Sequence, residues 1–313
     1  LAVVVVFIVF DVDDLRGPLA ARASAALGRE VEIGEPLELR LRWPVSTLVL
    51  HDVEVANTPS AKAPLFLSIA RLQIELSLRR LLGGDLVLPL LRVDSPVLAL
   101  ERWADGNNWQ FERDAAPAQR RALPELERLH IEDGRIRYTD ADQDIDLDMR
   151  LARVEGSADD EAQQIALDGR GSMRGERLEF RVEGGSLDAL RTSGQPYPLR
   201  GHLEAGATQA EVEGVVREPL RGRGIDLRLT LRGDSAADIY PFTGIALLPT
   251  PPYQVSGRLR HTDETWRFDD FTGHMGESDL AGWLRWDPRP VRPLLSARFT
   301  SERLALADLG PLV

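Results

Sequence analysis

Apolar and polar residues alternate along many short segments of this chain. The pattern is clearest over residues 37–43, 72–78 and 225–232, where every second residue is apolar. Successive side chains of a β-strand point to opposite faces of the sheet, so this period places the apolar side chains on one face and the charged ones on the other. The sequence therefore predicts a sheet with one apolar face, and the protein's function depends on what covers that face.

Short strands separated by turn residues fill most of the chain. Dipeptides typical of turns, such as Asp105-Gly106 and Asp133-Gly134, separate strands that follow one another about every 8 to 12 residues. Regular spacing of this kind predicts a mainly β, meander-type fold. Candidate strands include residues 65–69, 72–78, 86–91, 97–101, 129–131 and 135–138.

One helix is predicted, close to the N-terminus. Leu15, Leu19, Ala23 and Leu27 recur at a spacing of four among good helix formers, and Gly28 follows at the position where a left-handed residue ends many helices. We expect this short helix to cover one end of the sheet.

The first ten residues are uninterruptedly apolar. A helix needs about 20 apolar residues to span a bilayer, so residues 1–10 are interpreted as the end of a membrane anchor that begins upstream. The acidic residues Asp11, Asp13 and Asp14 suit the side of the membrane away from the cytoplasm. The alternative is a buried N-terminal β-strand over residues 3–9.

Composition and charge exclude several classes of function. A formal net charge of -12 argues against nucleic acid as a partner, since phosphates require a basic surface. The chain has no cysteine, which excludes disulfides and thiolate metal sites. The alternating aspartates over residues 140–148 lack the glycine and the final carboxylate of a calcium loop, and they fit the solvent side of a strand. The five histidines are scattered, so we expect no catalytic residue, no metal ligand and no cofactor.

A sheet with one apolar face leaves three outcomes open. About 15 strands spaced at roughly 4.8 Å make a sheet near 70 Å long, and such a sheet folds into a sandwich, closes, or leaves its apolar face for a ligand. On pattern alone a packed sandwich is the more common outcome, because alternating strands are usually core strands.

Several short motifs, in one consistent order, resemble the AsmA-like family of the Gram-negative envelope. They are Leu27-Gly28-Arg29, Leu39-Arg40-Leu41-Arg42-Trp43-Pro44, Leu81-Leu82-Gly83-Gly84-Asp85, Asp105-Gly106-Asn107-Asn108-Trp109, Leu248-Pro249-Thr250-Pro251-Pro252-Tyr253 and Gly276-Glu277-Ser278-Asp279-Leu280. The resemblance covers nearly the whole chain. Family members usually continue beyond the position of Val313, so we expect the chain to be truncated at its C-terminus.

The resemblance implies a protein held by a single N-terminal anchor in the inner membrane, with its bulk in the periplasm. It also implies an elongated, curled antiparallel sheet like that of bridge-like lipid transfer proteins, whose apolar groove holds acyl chains. The expected organisation is a membrane anchor ending within 1–10, a helix and β segment over 11–112, a candidate linker over 113–124, and a continuing groove over 125–313.

We therefore expect a non-enzymatic protein that binds phospholipid acyl chains and forms part of a conduit between the inner and outer membranes. The alternative function is a structural or assembly factor for outer-membrane proteins that acts through exposed sheet edges. By alternation alone, the residues predicted to line the groove are Leu37, Leu39, Leu41, Leu72, Ile74, Leu76, Ile225, Leu227, Leu229 and Leu231.

Overall fold

The computed structural model describes residues 12–111, 125–154, 164–191, 195–262, 265–288 and 293–309. The predicted end of a membrane anchor at residues 1–10 and the candidate linker at 113–124 lie outside these residues. No helix within the described ranges is long and apolar enough to cross a membrane.

The protein is mainly β, as the alternation predicts. Strands account for 63% of the structure. The predicted fold class, including the short N-terminal helix, is confirmed. The chain divides into two compact units, residues 1–152 and 153–313, which are described separately below.

The first unit contains a β meander with one parallel junction. Strands β1 to β4 pair antiparallel in sequence order. The long strand β4 then pairs in parallel with β6 along its first half and with β7 along its second half, and β8 pairs antiparallel with β7. The strands are β1 (Val31–Arg40), β2 (Val45–Ala56), β3 (Leu65–Ser77), β4 (Val87–Trp103), β5 (Gly106–Asn107), β6 (Glu125–Glu132), β7 (Gly134–Asp140) and β8 (Ile145–Arg153).

The predicted N-terminal helix, α1 (Arg16–Leu27), follows a 3-10 turn at Val12–Leu15. It ends at Gly28, which has φ 67° and donates its backbone N–H to the Ser24 carbonyl at 2.8 Å. Leu19 and Ala23 pack against the buried apolar residues of the first unit. The helix therefore covers part of the apolar face, beside β1.

The buried core of the first unit is built from the strands next to that helix. Val49 and Val87 are each only 1% exposed. The largest cluster of buried apolar residues comprises Val31, Leu37, Leu50, Val53, Val55, Phe66, Ile69 and Val93. Strands β1 to β4 all contribute to it.

The second unit is an antiparallel meander in which each strand pairs with the next one along the chain. Its strands are β9 (Ile165–Met173), β10 (Glu176–Gly184), β11 (Tyr197–Ala205), β12 (Thr208–Glu218), β13 (Arg223–Gly233), β14 (Tyr253–Thr262), β15 (Thr265–Met275), β16 (Ser278–Asp287) and β17 (Leu294–Thr300).

Short helical turns connect some of the strands. The α-helical ones are α2 (Leu78–Leu82), α3 (Leu187–Arg191) and α4 (Tyr240–Thr243), and the 3-10 turns are Pro219–Arg221, Ala236–Ile239 and Leu306–Leu309. Each of these helical segments is too short to cover a large part of a sheet face.

Candidate functional site

The apolar face of the first unit forms continuous rows across the strands. Leu72 lies directly opposite Leu50 of β2 and Val93 of β4. Ile131 of β6 extends this row beyond Val93. The next row contains Leu39, Leu48, Ile74, Leu91 and Leu129. Leu72, Ile74 and Leu39 are therefore members of one apolar surface.

The remaining residues predicted in this unit have different surroundings. Leu37 is buried, with 5% of its surface exposed, and belongs to the core cluster. Leu76 is half-buried opposite Ser46. Leu41 lies just beyond the last residue of β1 and is 52% exposed, so it belongs to the β1–β2 turn and not to the rows.

Irregular backbone occurs at adjacent positions of neighbouring strands in the first unit. At these positions the alternation of apolar and polar residues shifts by one residue. Asp52, Ser95 and Asp133 have positive φ angles of 46°, 52° and 49°. The registers place residue 52 of β2 opposite residue 70 of β3, residue 70 opposite residue 95, and residue 95 opposite residue 133. A left-handed residue in a strand is a feature of β-bulges, which bend the strand. We call this line of residues 52, 70, 95 and 133 the crease.

The apolar face continues across the crease because the apolar spacing changes there from two residues to three. Leu50 and Val53 both belong to the core cluster, and Ile69 and Leu72 pack in the same cluster. Strict alternation would send one member of each pair to the polar face. The sequence signal for this feature is a pair of apolar residues three apart, repeated in neighbouring strands.

The second unit has an apolar face with four aligned rows. Three of the rows pass through β13, at Leu227, Leu229 and Leu231. Each row continues into the strands on both sides of β13. The Leu229 row contains Leu167, Val182, Gly201, Val212, Leu229 and Gly257. The Leu227 row contains Gly184, Leu199, Gly214, Leu227, Leu259, Phe268, Leu284 and Ala297. The Leu231 row contains Leu203, Ala210, Leu231, Val255, Gly273 and Leu280.

The fourth row passes through Ile225 and is rich in aromatic residues. It contains Tyr197, Val216, Ile225, His261, Trp266, Trp286 and Leu295. The rings of His261 and Trp266 stack, with centroids 4.4 Å apart. All four predicted residues of β13 are thus placed on one face.

The apolar residues of this face differ in how much of their surface is exposed. Leu227 is 7% exposed, whereas Ile225, Leu229 and Leu231 are only half-buried. Within the described part of the second unit, strong contacts between strands join only hydrogen-bonded neighbours. Within this meander, Ile225, Leu229 and Leu231 thus keep part of their surface accessible.

Aromatic rings on the second unit's face lie over glycines of neighbouring strands. A Cβ at Gly169 would lie 2.2 Å from the Phe180 ring, and a Cβ at Gly184 would lie 2.4 Å from the Tyr197 hydroxyl. The Tyr197 hydroxyl donates a hydrogen bond to the Gly185 carbonyl at 2.9 Å. The glycines leave the space that these two rings occupy.

The opposite face of the second unit carries ion pairs. Arg258 donates two hydrogen bonds of 2.6 Å to the Asp226 carboxylate, and these bonds hold the pKa of Asp226 below its usual value. Asp269 is 5% exposed and pairs with both Arg260 and Arg267. Covering these charged groups with hydrocarbon would cost free energy, so this face is the less favourable of the two for a hydrophobic ligand.

A buried polar node stabilises one end of the first unit. Asn108 is 0% exposed; its side chain accepts the Glu101 backbone N–H at 2.8 Å and donates to the Ala99 carbonyl at 2.7 Å. Arg29 donates to the Asn108 carbonyl, and its guanidinium lies 4.2 Å from the centroid of the Phe111 ring. Burial lowers the pKa of Arg29. These contacts fix the loop that follows β5 to the end of the helix–β1 connection.

The described residues contain no group of His, Asp and Glu side chains that could hold a metal ion. Asp140, the first of the alternating aspartates, is 2% exposed and accepts the backbone N–H groups of Asp142 and Gln143. It therefore closes the β7–β8 turn. The absence of catalytic, metal and cofactor sites remains an expectation from the sequence.

A model of the AsmA family matches residues 1–313. The chain belongs to the AsmA family. It is 28% identical to AsmA family protein YhjG of Escherichia coli (strain K12) over 348 aligned residues, which cover 99% of this chain and 51% of that protein. This AsmA-family chain thus spans about half the length of that relative. No solved structure matches it. Membership of the AsmA family indicates a role related to the bacterial envelope.

Proposed function

We propose that this AsmA-family protein binds phospholipid acyl chains on the apolar face of its sheet and forms part of a conduit between the inner and outer membranes. In this proposal the protein is anchored in the inner membrane by a single N-terminal segment, and its bulk lies in the periplasm. The observation that carries the proposal is the set of four aligned apolar rows in the second unit, in which Ile225, Leu229 and Leu231 of β13 keep part of their surface exposed.

Acyl chains match the chemistry of these rows. The row residues are mostly aliphatic and glycine, and such a surface contacts hydrocarbon without selecting one headgroup. Full burial of apolar surface is worth about 0.8 kcal/mol per methylene group relative to water, so ten methylenes half buried on an open face gain about 4 kcal/mol. The strands β9 to β17 span roughly 38 Å at about 4.8 Å per step, and the rows run across them.

Movement along such rows requires no chemical step. Adjacent positions of a row present similar side chains, such as Val212 and Leu229, so an acyl chain exchanges equivalent contacts as it slides. The headgroup stays in water, beyond the apolar face. The proposal therefore assigns no catalytic residue and no cofactor, and the protein acts as a passive surface.

The test is the phospholipid content of the purified protein after mild extraction from cells. Leu229→Asp places a carboxylate in the middle of an apolar row, whereas Thr230→Asp places the same group one residue away on the opposite face. We expect Leu229→Asp to lose most of the co-purifying phospholipid, and Thr230→Asp and Leu229→Met to retain it. Equal phospholipid in the two aspartate variants would contradict the proposal.

A second candidate function rests on strand β17. In the described residues this strand pairs with β16 only, and six of its seven residues are exposed, including Leu294 and Phe299 at 57% each. An exposed strand edge with apolar side chains can pair with a strand of another protein. This edge supports the alternative role as an assembly factor for outer-membrane proteins. Proline substitution at Ser296 would block strand addition at this edge, and unchanged assembly of outer-membrane proteins in that variant would count against it.

A further inference from the structure

The turns at one end of the first unit expose large apolar side chains. Leu82 is 80% exposed, Trp43 is 65% exposed and Leu41 is 52% exposed, while Leu81 and Leu86 are 44% and 45% exposed. We call these five residues the apolar tip. None of them belongs to the rows of the apolar face.

The residues of the apolar tip come from two connections that meet in space. The β1–β2 turn supplies Leu41 and Trp43, and the connection between β3 and β4 supplies the others. The Leu78 backbone N–H donates to the Pro44 carbonyl at 2.9 Å, which joins the two connections. Val45 lies opposite Ser77 directly behind this bond.

Arginines flank the apolar tip in both connections. Arg40 and Arg42 precede Trp43, and Arg79 and Arg80 precede Leu81. Arg40 pairs with Glu38, and Arg80 lies within 4.0 Å of both Asp85 and Glu125. Arg42 and Arg79 are exposed and form no ion pair with any residue that the structure describes. Two free cations beside exposed tryptophan and leucine stand out in a chain of net charge -12.

The chain enters the described structure at the same end of the sheet. The Asp13 carboxylate accepts the Leu37 backbone N–H at 2.8 Å, three residues before the end of β1. Helix α1 then runs back towards the start of β1, where the Ser24 hydroxyl accepts the Val31 backbone N–H at 2.9 Å. The first described residues of the chain therefore lie near the end that carries the apolar tip.

We propose that the apolar tip binds the surface of a bilayer that contains anionic phospholipid. Tryptophan and leucine insert at the level of the headgroups, and arginines beside them attract lipid phosphates. The free arginines, and the position of the tip at the end of the sheet where the described chain begins, favour a membrane over a protein partner. This inference rests on the proposed function and deepens it, because a tip seated in the bilayer would hold the first unit at the source of lipid. It rests on different residues from the apolar face, so the two can be tested separately.

The absence of cysteine allows one fluorophore to be placed at a single introduced residue. The full chain carries an environment-sensitive label at Leu82→Cys or, as a control, at Leu248→Cys. Leu248 is 79% exposed, almost the same as Leu82, but lies in an uncharged stretch of the second unit. Each protein is added to vesicles of phosphatidylcholine alone or of phosphatidylcholine mixed with phosphatidylglycerol.

In the mixed vesicles we expect the label at position 82 to be protected from an aqueous reductant and quenched by a spin-labelled lipid, while the label at position 248 stays accessible. Arg42→Gln and Arg79→Gln should each weaken protection about fivefold, since each arginine near an anionic surface contributes about that factor. A label at position 82 that remains as accessible as that at 248 would overturn this inference, and it is the result that a protein partner would give. The amount of phospholipid that co-purifies with the Arg42→Gln/Arg79→Gln variant should be unchanged. Absence of protection at position 82 would thus refute the role of the apolar tip, whereas the phospholipid that co-purifies with Leu229→Asp tests the apolar rows.

Discussion

Replacing Leu229 by alanine tests directly whether the apolar face lacks a protein cover. Leu229 is half-buried, its partner on β12 is Val212, and its partner on β14 is Gly257, which has no side chain. The comparison is Leu50→Ala in the first unit, where Leu50 is 6% exposed within the largest buried cluster. Both substitutions remove the same three carbon atoms from a strand.

The expected magnitudes follow from the surroundings of the two leucines. A fully buried leucine replaced by alanine costs about 2 to 5 kcal/mol, because a cavity remains. Full burial of such a side chain is itself worth about 1.5 to 3 kcal/mol, and Leu229 obtains only part of this from its lateral neighbours. We expect Leu229→Ala to lower the local unfolding free energy by about 1 kcal/mol, and Leu50→Ala to lower it by at least about 2 kcal/mol.

Native-state hydrogen exchange of the lipid-free protein measures these values for each strand separately, which suits a chain with two compact units. The relevant amides are those of β12 to β14 for Leu229→Ala and those of β2 and β3 for Leu50→Ala. A loss of 3 kcal/mol or more around β13, on the order of a core substitution, would mean that a protein layer covers Leu229 and would refute an open face.

Three further predictions concern the packing of the strands. Gly169→Ala should lower the melting temperature, because its Cβ would lie 2.2 Å from the Phe180 ring; Gly169→Ala combined with Phe180→Ala should recover part of the loss, and no change in the single variant would contradict the contact. Asn108→Ala should cost about 2 to 4 kcal/mol in the first unit, measured by hydrogen exchange, because it leaves buried backbone groups of β4 without partners. Burial raises the pKa of Tyr197 and of Tyr253 to about 12 from an ordinary value near 10, so both tyrosines stabilise the fold fully below about pH 10 and lose that contribution as the pH rises towards 12. In Tyr197→Phe and Tyr253→Phe the free energy of unfolding should therefore fall less steeply with pH in this range. A pH dependence equal to that of the wild type would argue against the tyrosines as its cause.

Local sequence signals were sufficient for the regular parts of the fold. The spacing of Leu15, Leu19, Ala23 and Leu27 with Gly28 predicts α1 almost to the residue, because helix periodicity and a left-handed cap are both local. Alternation predicts β13 for the same reason. The mainly β class is likewise confirmed.

The crease explains why alternation predicts two short strands where the structure has one long strand. The pattern separates residues 65–69 from 72–78 and residues 86–91 from 97–101, whereas each pair belongs to one long strand, β3 or β4. Alternation changes phase at the crease, so a continuous strand looks like two. The positive φ angles of Asp52 and Ser95 depend on pairing with distant strands, which no single segment reveals.

Other features depend on contacts that are distant in sequence. The parallel pairing of β4 with β6 and β7 joins segments that are separated in sequence, and neither strand encodes it alone. The alternation continues to Trp43, but β1 ends at Arg40, where the turn held by Ser46 begins, and this places Leu41 in the apolar tip. The role of the predicted rows in binding lipid stays a prediction.

Site-specific photo-crosslinking in cells tests the central claim most directly. A photoreactive residue is placed at Leu227, Leu229 or Leu231 on the apolar face and, as a control, at Asp226, Arg228 or Thr230 on the opposite face of the same strand. An open lipid-binding face predicts phospholipid adducts at the three leucine positions and none at the three controls. Adducts within the protein at the leucine positions, without any lipid, would contradict the account and show that protein covers the face.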